Sequence, residues 1–189
     1  MKTQEKTEST FLYVLRLALT LLIITAVVAA ALAGVNSITA PIIADLNEAK
    51  TQEAIEMVLP GGGQEIDAPA VNVGVDIGKV YRGEKGYAVE VLPSGFDNTI
   101  TMMVGVDFEG AVLGISIVDH SETAGLGAVA AAKTSAGEAF RAQFVGASGS
   151  VGTAKRGTGT MDAITGATIT SEAVCTGVNA ALALVAELG

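Results

Sequence analysis

No charged residue occurs between Arg16 and Asp45, and that gap constrains the fold more than any other feature of the chain. Its core, Leu17 to Val35, is apolar enough to cross a bilayer as a helix, which takes about 20 such residues. One transmembrane helix is therefore expected over residues 17–35. Lys2, Lys6 and Arg16 precede the span, whereas the next basic residue is Lys50. The positive-inside rule then predicts a cytoplasmic N-terminus, residues 1–16, with everything after the span on the extracytoplasmic side of the cell membrane. A cleaved signal peptide is the competing reading, because Ala31-Leu32-Ala33 ahead of Gly34 resembles a small-residue cleavage site. The apolar run outlasts the roughly 7–15 residues of a signal-peptide core, which favours an uncleaved anchor with membrane lipid as its solvent.

Composition removes several classes of function. The chain of 189 residues carries 20 acidic against 11 basic residues, a formal charge of −9, and its basic residues are scattered. Phosphate neutralisation needs a clustered lysine and arginine surface, so no nucleic-acid partner is expected. One histidine and one cysteine exclude an intramolecular disulfide and make a zinc or iron–sulfur centre implausible, so no metal site is expected. Cys175 sits in an apolar helical run with Val174, Val178, Leu182 and Val185 and reads as core packing.

After the span, residues 36–70 read as a juxtamembrane stalk, helical from Ile42 to Leu59 and stopped by Pro60-Gly61-Gly62-Gly63. From about Val71 the period becomes strand-like: Ile77 to Tyr81, Tyr87 to Leu92, Thr99 to Asp107 and Ala111 to Val118. Gly83-Glu84-Lys85-Gly86, Pro93-Ser94-Gly95 and Glu109-Gly110 supply the turns of an antiparallel meander. Ala128 to Lys133, Thr134 to Phe144 and Thr170 to Leu188 read as helices, and Val145 to Gly152 as a glycine-rich loop. The expected fold class is α+β: a transmembrane helix and stalk, then an antiparallel sheet with packed helices over residues 71–189.

Two segments carry candidate chemistry. Asp162 to Thr168, DAITGAT, places a threonine hydroxyl at a glycine-flanked turn entering a helix. Gly166 and Ala167 leave that backbone uncrowded, and Thr170 or Ser171 can cap the helix, so unpaired N–H groups and the positive dipole end suit a phosphate near Thr168. On local chemistry an ordinary capped turn competes with this reading. His120 to Gly127, HSETAGLG, follows the last expected strand. Gly125 and Gly127 permit close backbone approach to a planar ligand, Glu122 and Thr123 offer hydrogen bonding, and Leu126 offers an apolar face. A capped loop before a helix is the competing reading here too. His120 is equally compatible with proton transfer and with tying the loop to neighbouring backbone. Lys155 and Arg156 are equally compatible with neutralising a phosphodiester and with solvated loop charge.

DAITGATITS resembles the flavinylation motif Asp-x-x-Ser/Thr-Gly-Ala-Thr of the FMN-binding domain family, and HSETAGLG resembles the same family's His-x-Glu-Thr-Pro-Gly-Leu-Gly signature. Ala124 replaces the usual proline, which leaves that loop less restricted in φ. The resemblance runs from about Val71 to Leu188, with Ser94-Gly95-Phe96 and the GVDFEG hairpin as looser matches. It implies FMN held covalently through a phosphoester to Thr168. It also implies cofactor contacts from Asp162, Thr165, Gly166 and Ala167, and from Glu122, Thr123, Gly125, Leu126 and Gly127 around the isoalloxazine ring. Asp162 is equally compatible with orienting the loop and with structural turn duty. The resemblance further implies attachment by a separate magnesium-dependent flavin transferase that uses FAD, and no base is evident beside Thr168 that would let the chain attach it unaided.

With one span, a short stalk and this domain, the chain is most similar to the family of G subunits of Rnf-type ion-translocating electron transport complexes. Their relatives include the C subunits of sodium-translocating NADH:quinone oxidoreductases. That similarity implies an electron-relay protein among other membrane subunits of a complex that couples ferredoxin/NAD electron transfer to ion movement. The quinone-reductase relative usually has a longer insertion between span and domain, which favours the Rnf-type reading. A membrane-anchored flavin-binding regulator is a further reading. A pilin-like structural protein is disfavoured because Thr10-Phe11-Leu12 shows neither a processing site nor a glutamate at the start of the apolar helix.

Overall fold

The structure, a computed structural model, describes residues 2–68, 71, 73–154 and 159–189, with side chains from residue 10 onward. It contains two units, Met1–Glu48 and Ala49–Gly189. Lys155 and Arg156 lie outside the described residues.

Helix α1 (Lys2–Val58) makes up the first unit and enters the second. From Thr10 to Lys50 its described side chains are all exposed, including the leucines and isoleucines of the uncharged run. By length and composition this helix can cross a membrane. Its hydroxyls return their protons to the helix backbone, as an apolar solvent requires: Thr20 Oγ1 donates to the Arg16 carbonyl at 2.8 Å and Thr25 Oγ1 to that of Leu21 at 3.0 Å. Pro41 lies inside the helix without ending it, so the helix runs unbroken from the uncharged run into the residues expected as stalk.

The second unit is built on a five-stranded antiparallel meander, β1 (Gln64–Ile66), β2 (Asp76–Arg82), β3 (Gly86–Leu92), β4 (Thr101–Asp107) and β5 (Val112–Asp119), paired in chain order. The four expected strands are present within two residues at either end, and β1 adds a short edge strand beside β2. Asp107 closes the β4–β5 hairpin, its Oδ1 accepting the Glu109 and Ala111 N–H groups at 2.9 and 2.8 Å around Gly110, whose φ is +83°. In the β2–β3 pair a bulge falls between Ile77 and Val80, where Glu90 Oε2 accepts the N–H of Lys79 at 3.0 Å.

Both faces of the sheet are apolar and both are covered. On one face Val80, Val89, Val91, Met102, Val104 and Val106 pack with α2 (Ser135–Ala142) and α3 (Thr168–Leu188), which contribute Phe140, Val174, Val178, Leu184 and Val185. Helix α3 is itself long and apolar enough to span a bilayer, but two-thirds of it is buried, which makes it the core helix of this unit. On the other face Tyr81, Ala88 and Met103 pack with Ala54, Ile55, Val58 and Leu59 from the end of α1 and the turn after it. The C-terminal part of the expected stalk is thus a layer of the domain. Burying Ile55, Val58 and Leu59 there contributes on the order of 5–9 kcal/mol gross. The close approach depends on Gly105 of β4, where a Cβ would run into the Val58 carbonyl, whereas a Cβ on Gly114, its partner on β5, would lie 3.7 Å from Val58, at ordinary contact distance.

The expected helix over 128–133 is a single 3-10 turn, Gly127–Ala130. Arg141 reaches back from α2 and donates to the carbonyls of Ala130 and Ala132 at 2.6 and 3.1 Å, satisfying acceptors that a continued helix would have used. Thr134 caps α2, its Oγ1 accepting the Gly137 N–H at 3.4 Å.

Gly105→Ala is expected to cost about 1–3 kcal/mol by overpacking. Gly114→Ala, at ordinary contact distance, should stay within about 0.5 kcal/mol, both read from denaturation midpoints of the detergent-solubilised chain. Cys175 is a second readout of the core: burial first, and then the Glu172 carboxylate, push its thiol up to about 11 from the ordinary 9.0. A pKa raised in the fold contributes stability that is fully present below the unfolded value and lost as pH rises through the folded one. Native protein should therefore be inert to thiol reagents near pH 8 and lose stability between pH 9.0 and about 11, and Cys175→Ala should flatten that limb of the profile.

Candidate functional site

Strands β3 and β5 run in the same direction, so the loops leaving them emerge at one end of the sheet, where α3 also begins. A cavity of about 400 Å³ opens there, lined by Phe96 of the β3–β4 loop, by Glu122, Thr123, Leu126 and Gly127 after β5, and by Gly166 to Thr170. The two sequence segments singled out above, some forty residues apart in the chain, form its walls.

The α3 side of the cavity starts at a glycine turn. Gly166 has φ +80°, and Leu126 lies against its open side. The helix begins at Thr168, with Ala167 as N-cap and no side-chain cap hydrogen bond. Thr170 and Ser171, expected as caps, lie inside the helix and are buried. Ser171 pins the turn from within: its Oγ accepts the Ile164 N–H at 3.0 Å and donates to the Ala167 carbonyl at 2.9 Å. The first-turn N–H groups of α3 therefore carry no competing side chain where the helix meets the cavity, and Thr168, half-buried, stands among them. That is the arrangement in which a helix terminus holds an anion.

Glu122 organises the opposite side. It is buried, and its two carboxylate oxygens face different segments. Oε1 accepts the N–H groups of Phe96 and Asp97 at 2.8 and 3.3 Å, and Oε2 accepts the hydroxyl proton of Thr170 in a short hydrogen bond. The missing side chain of Gly127 makes room for this carboxylate and the Thr170 hydroxyl, and Gly127 itself lines the cavity. His120 Nδ1 accepts the Glu122 N–H at 3.2 Å; of its two readings, the structure shows the one that ties the loop to backbone. Thr123 and Leu126 are exposed at the cavity mouth beside Phe96 and Ile169, which form its apolar rim.

Not every expected residue reaches this cavity. Asp162, Thr165 and Gly125 line a neighbouring open depression of about 590 Å³ floored by Ala139 and Phe140 of α2. Gln143 grips Asp162 by its backbone, accepting its N–H at 2.7 Å and donating to its carbonyl at 3.4 Å, which leaves the carboxylate at the surface. Phe96, Ile169, Thr170 and Gln143 were missed as site residues. Phe96 had a signal, an aromatic in a glycine loop, in a chain with only five phenylalanines. No cluster of three histidine, cysteine or carboxylate side chains suited to a metal ion occurs among the described residues.

Residues 95–183, which span every wall of the cavity, match the FMN-binding domain family. The chain is 35% identical to the G subunit of the Na(+)-translocating ferredoxin:NAD(+) oxidoreductase complex of Acetobacterium woodii, over 95% of each protein. It is 34% identical to the G subunit of the ion-translocating oxidoreductase complex of Yersinia pestis, over 79% of this chain and 80% of that one. It is 38% identical to the G subunit of the proton-translocating ferredoxin:NAD(+) oxidoreductase complex of Clostridium ljungdahlii, over 54% of this chain and 57% of that one.

Proposed function

Since the chain belongs to the FMN-binding domain family, among the G subunits of ion-translocating oxidoreductase complexes, we propose that it is the membrane-anchored electron-relay subunit of such a complex, carrying FMN covalently on Thr168. The observation that carries this reading is the single cavity made by both family segments, with a threonine hydroxyl at an uncapped helix N-terminus on its wall.

The residues present fit the group. The cavity of about 400 Å³ lies within the range of roughly 300–1,000 Å³ typical of small-molecule sites. Amides of the first turn of α3 would receive the phosphate beside Gly166 and Ala167. Phe96, Thr123, Leu126 and Ile169, with Gly127 and Glu122, would line the space for the ring. Asp162, Thr165 and Gly125 belong to the outer face of the same loops, where the flavin transferase would engage them. When bound, FMN supplies one-electron acceptance and donation, and the protein supplies position and electrostatics.

Among the threonines of the cavity, the hydrogen bonding favours Thr168. Thr170 is buried and gives its proton to Glu122, and Thr123 sits at the exposed mouth, away from the helix terminus. Among the described residues Glu122 is the one ionisable side chain lining the cavity, and both its oxygens are engaged. No free base among the described lining residues therefore faces Thr168, which fits attachment by a separate enzyme. In that reaction Thr168 Oγ bonds to the phosphorus of the FMN half of FAD, the pyrophosphate bond breaks, AMP leaves, and the hydroxyl proton passes to a base of the transferase.

The anchor is a single span with a cytoplasmic N-terminus, supported by Lys2, Lys6 and Arg16 ahead of the uncharged run. The cavity then lies outside the cytoplasm, beside the other membrane subunits. A covalent link suits that location, since FMN lost there could not readily be recovered.

Co-expressed with an active flavin transferase, wild type should show flavin fluorescence on a denaturing gel and an FMN-sized gain in intact mass; Thr168→Ala should show neither, and Thr123→Ala should keep both. An unmodified wild type would sink the covalent reading. On a Cys175→Ala background, a membrane-impermeant maleimide should label Gly61→Cys and spare Thr3→Cys in intact cells, and the reverse pattern would overturn the orientation.

A further inference from the structure

Glu122 is a charged side chain in a buried position, and its hydrogen bonds join three separate chain segments. One oxygen takes two consecutive backbone amides of the β3–β4 loop, Phe96 and Asp97, and the other takes the hydroxyl of Thr170 in α3. Its own backbone N–H is held by His120, which fixes the loop after β5. Two glycines leave space for the carboxylate: a Cβ built on Gly95 or Gly127 would collide with it, and the one on Gly127 would strike the Thr170 hydroxyl as well. Neither glycine has a positive φ, so both positions are explained by space and not by backbone conformation. All three recorded partners of the carboxylate are donors, and a buried carboxylate left without them would be costly.

We propose that Glu122 is a positioning residue, a clamp that fixes the Phe96 loop, the loop after β5 and the start of α3 as one preformed cavity before any flavin is attached, with Thr170 as its hydroxyl partner. Its consequence for flavin loading rests on the FMN reading of this cavity; the clamp itself can be tested without flavin.

The test is hydrogen exchange on the full-length, flavin-free chain in detergent, followed at the Phe96 and Asp97 amides and at the amides of β3 and β4. Thr170→Val keeps the shape of the side chain but removes the donor, and Gly127→Ala pushes a methyl group into the contact. Each should lower protection at Phe96 and Asp97 by about tenfold or more and leave the sheet amides unchanged. Thr170→Ser restores the hydroxyl and should restore protection. Glu122→Gln keeps an acceptor for the two amides and can donate to Thr170, so it should stay near wild type, whereas Glu122→Ala should show the full loss. Unchanged protection in Glu122→Ala, or an equal fall across the sheet, would overturn the clamp. In a second arm, with FAD and a flavin transferase, Thr170→Val should load Thr168 about tenfold more slowly and Thr170→Ser at the wild-type rate; equal rates in all three would overturn the link to loading. A wild type that takes no flavin while the exchange pattern holds would sink the FMN reading and leave the clamp standing.

Discussion

A sheet with two apolar faces must be covered twice, and this requirement organises the second unit. Helix α3 and α2 bury one face, and the last turn of α1 with Leu59 buries the other. Met103 and Tyr81 would otherwise face water, since period-2 alternation sends every second side chain of β2, β3 and β4 to that side. Gly105 shows how tightly the second layer is set: a strand glycine weakens a sheet by itself, and here the loss is offset by the contact it allows with Val58. The helix carrying the uncharged run therefore ends as a structural layer of the domain, and residues 54–59 belong to its core.

The covered sheet fixes where chemistry can occur. At the end where β3 and β5 exit and α3 starts, loop backbone must find partners outside the ladder. There Glu122 supplies acceptors to one loop and to Thr170, Ser171 supplies both an acceptor and a donor to the turn before α3, and Gln143 does the same for Asp162. Three side chains thus satisfy the backbone of the irregular segments from the inside. What remains uncapped is the first turn of α3 at the cavity wall.

The parts of this arrangement that were legible in the sequence are those set by short-range chemistry. Gly83 to Gly86, Pro93 to Gly95 and Glu109-Gly110 punctuate β-branched runs, so the four long strands and their antiparallel order follow from turns and alternation. Strand β1 escaped because three residues, Gln64–Ile66, carry no period and pair only through β2. The burial of Ile55 and Val58 escaped because an apolar stripe on a stalk does not say which surface receives it. The start of α3 was displaced because Thr170 and Ser171 are good caps on propensity, whereas in the fold each bonds a partner made available by tertiary structure, Glu122 in one case and the Ile164 N–H in the other. Glu122 was legible as a residue of interest but not as a hub, since its partners lie 26 and 48 residues away in the chain.

The electrostatics of the cavity bear on why a covalent bond would be used at all. Among its described lining residues there is no lysine or arginine, and the ionisable one is an acid, in a chain with a formal charge of −9. A phosphate monoester carries about −1.5 to −2 at pH 7, and a helix terminus offers roughly half a positive charge against it. With no cationic side chain among the described lining residues to form charge-assisted hydrogen bonds, the helix terminus by itself would retain such a group only weakly. Esterification at Thr168 would remove one ionisable phosphate oxygen, leaving a single negative charge that the first-turn amides would match better. Retention would then no longer depend on affinity, and the walls contributed by Phe96, Leu126 and Ile169 would need only to orient the ring. Apolar walls and an uncapped helix start, with no cation among the described lining residues, would suit a tethered nucleotide better than a dissociable one.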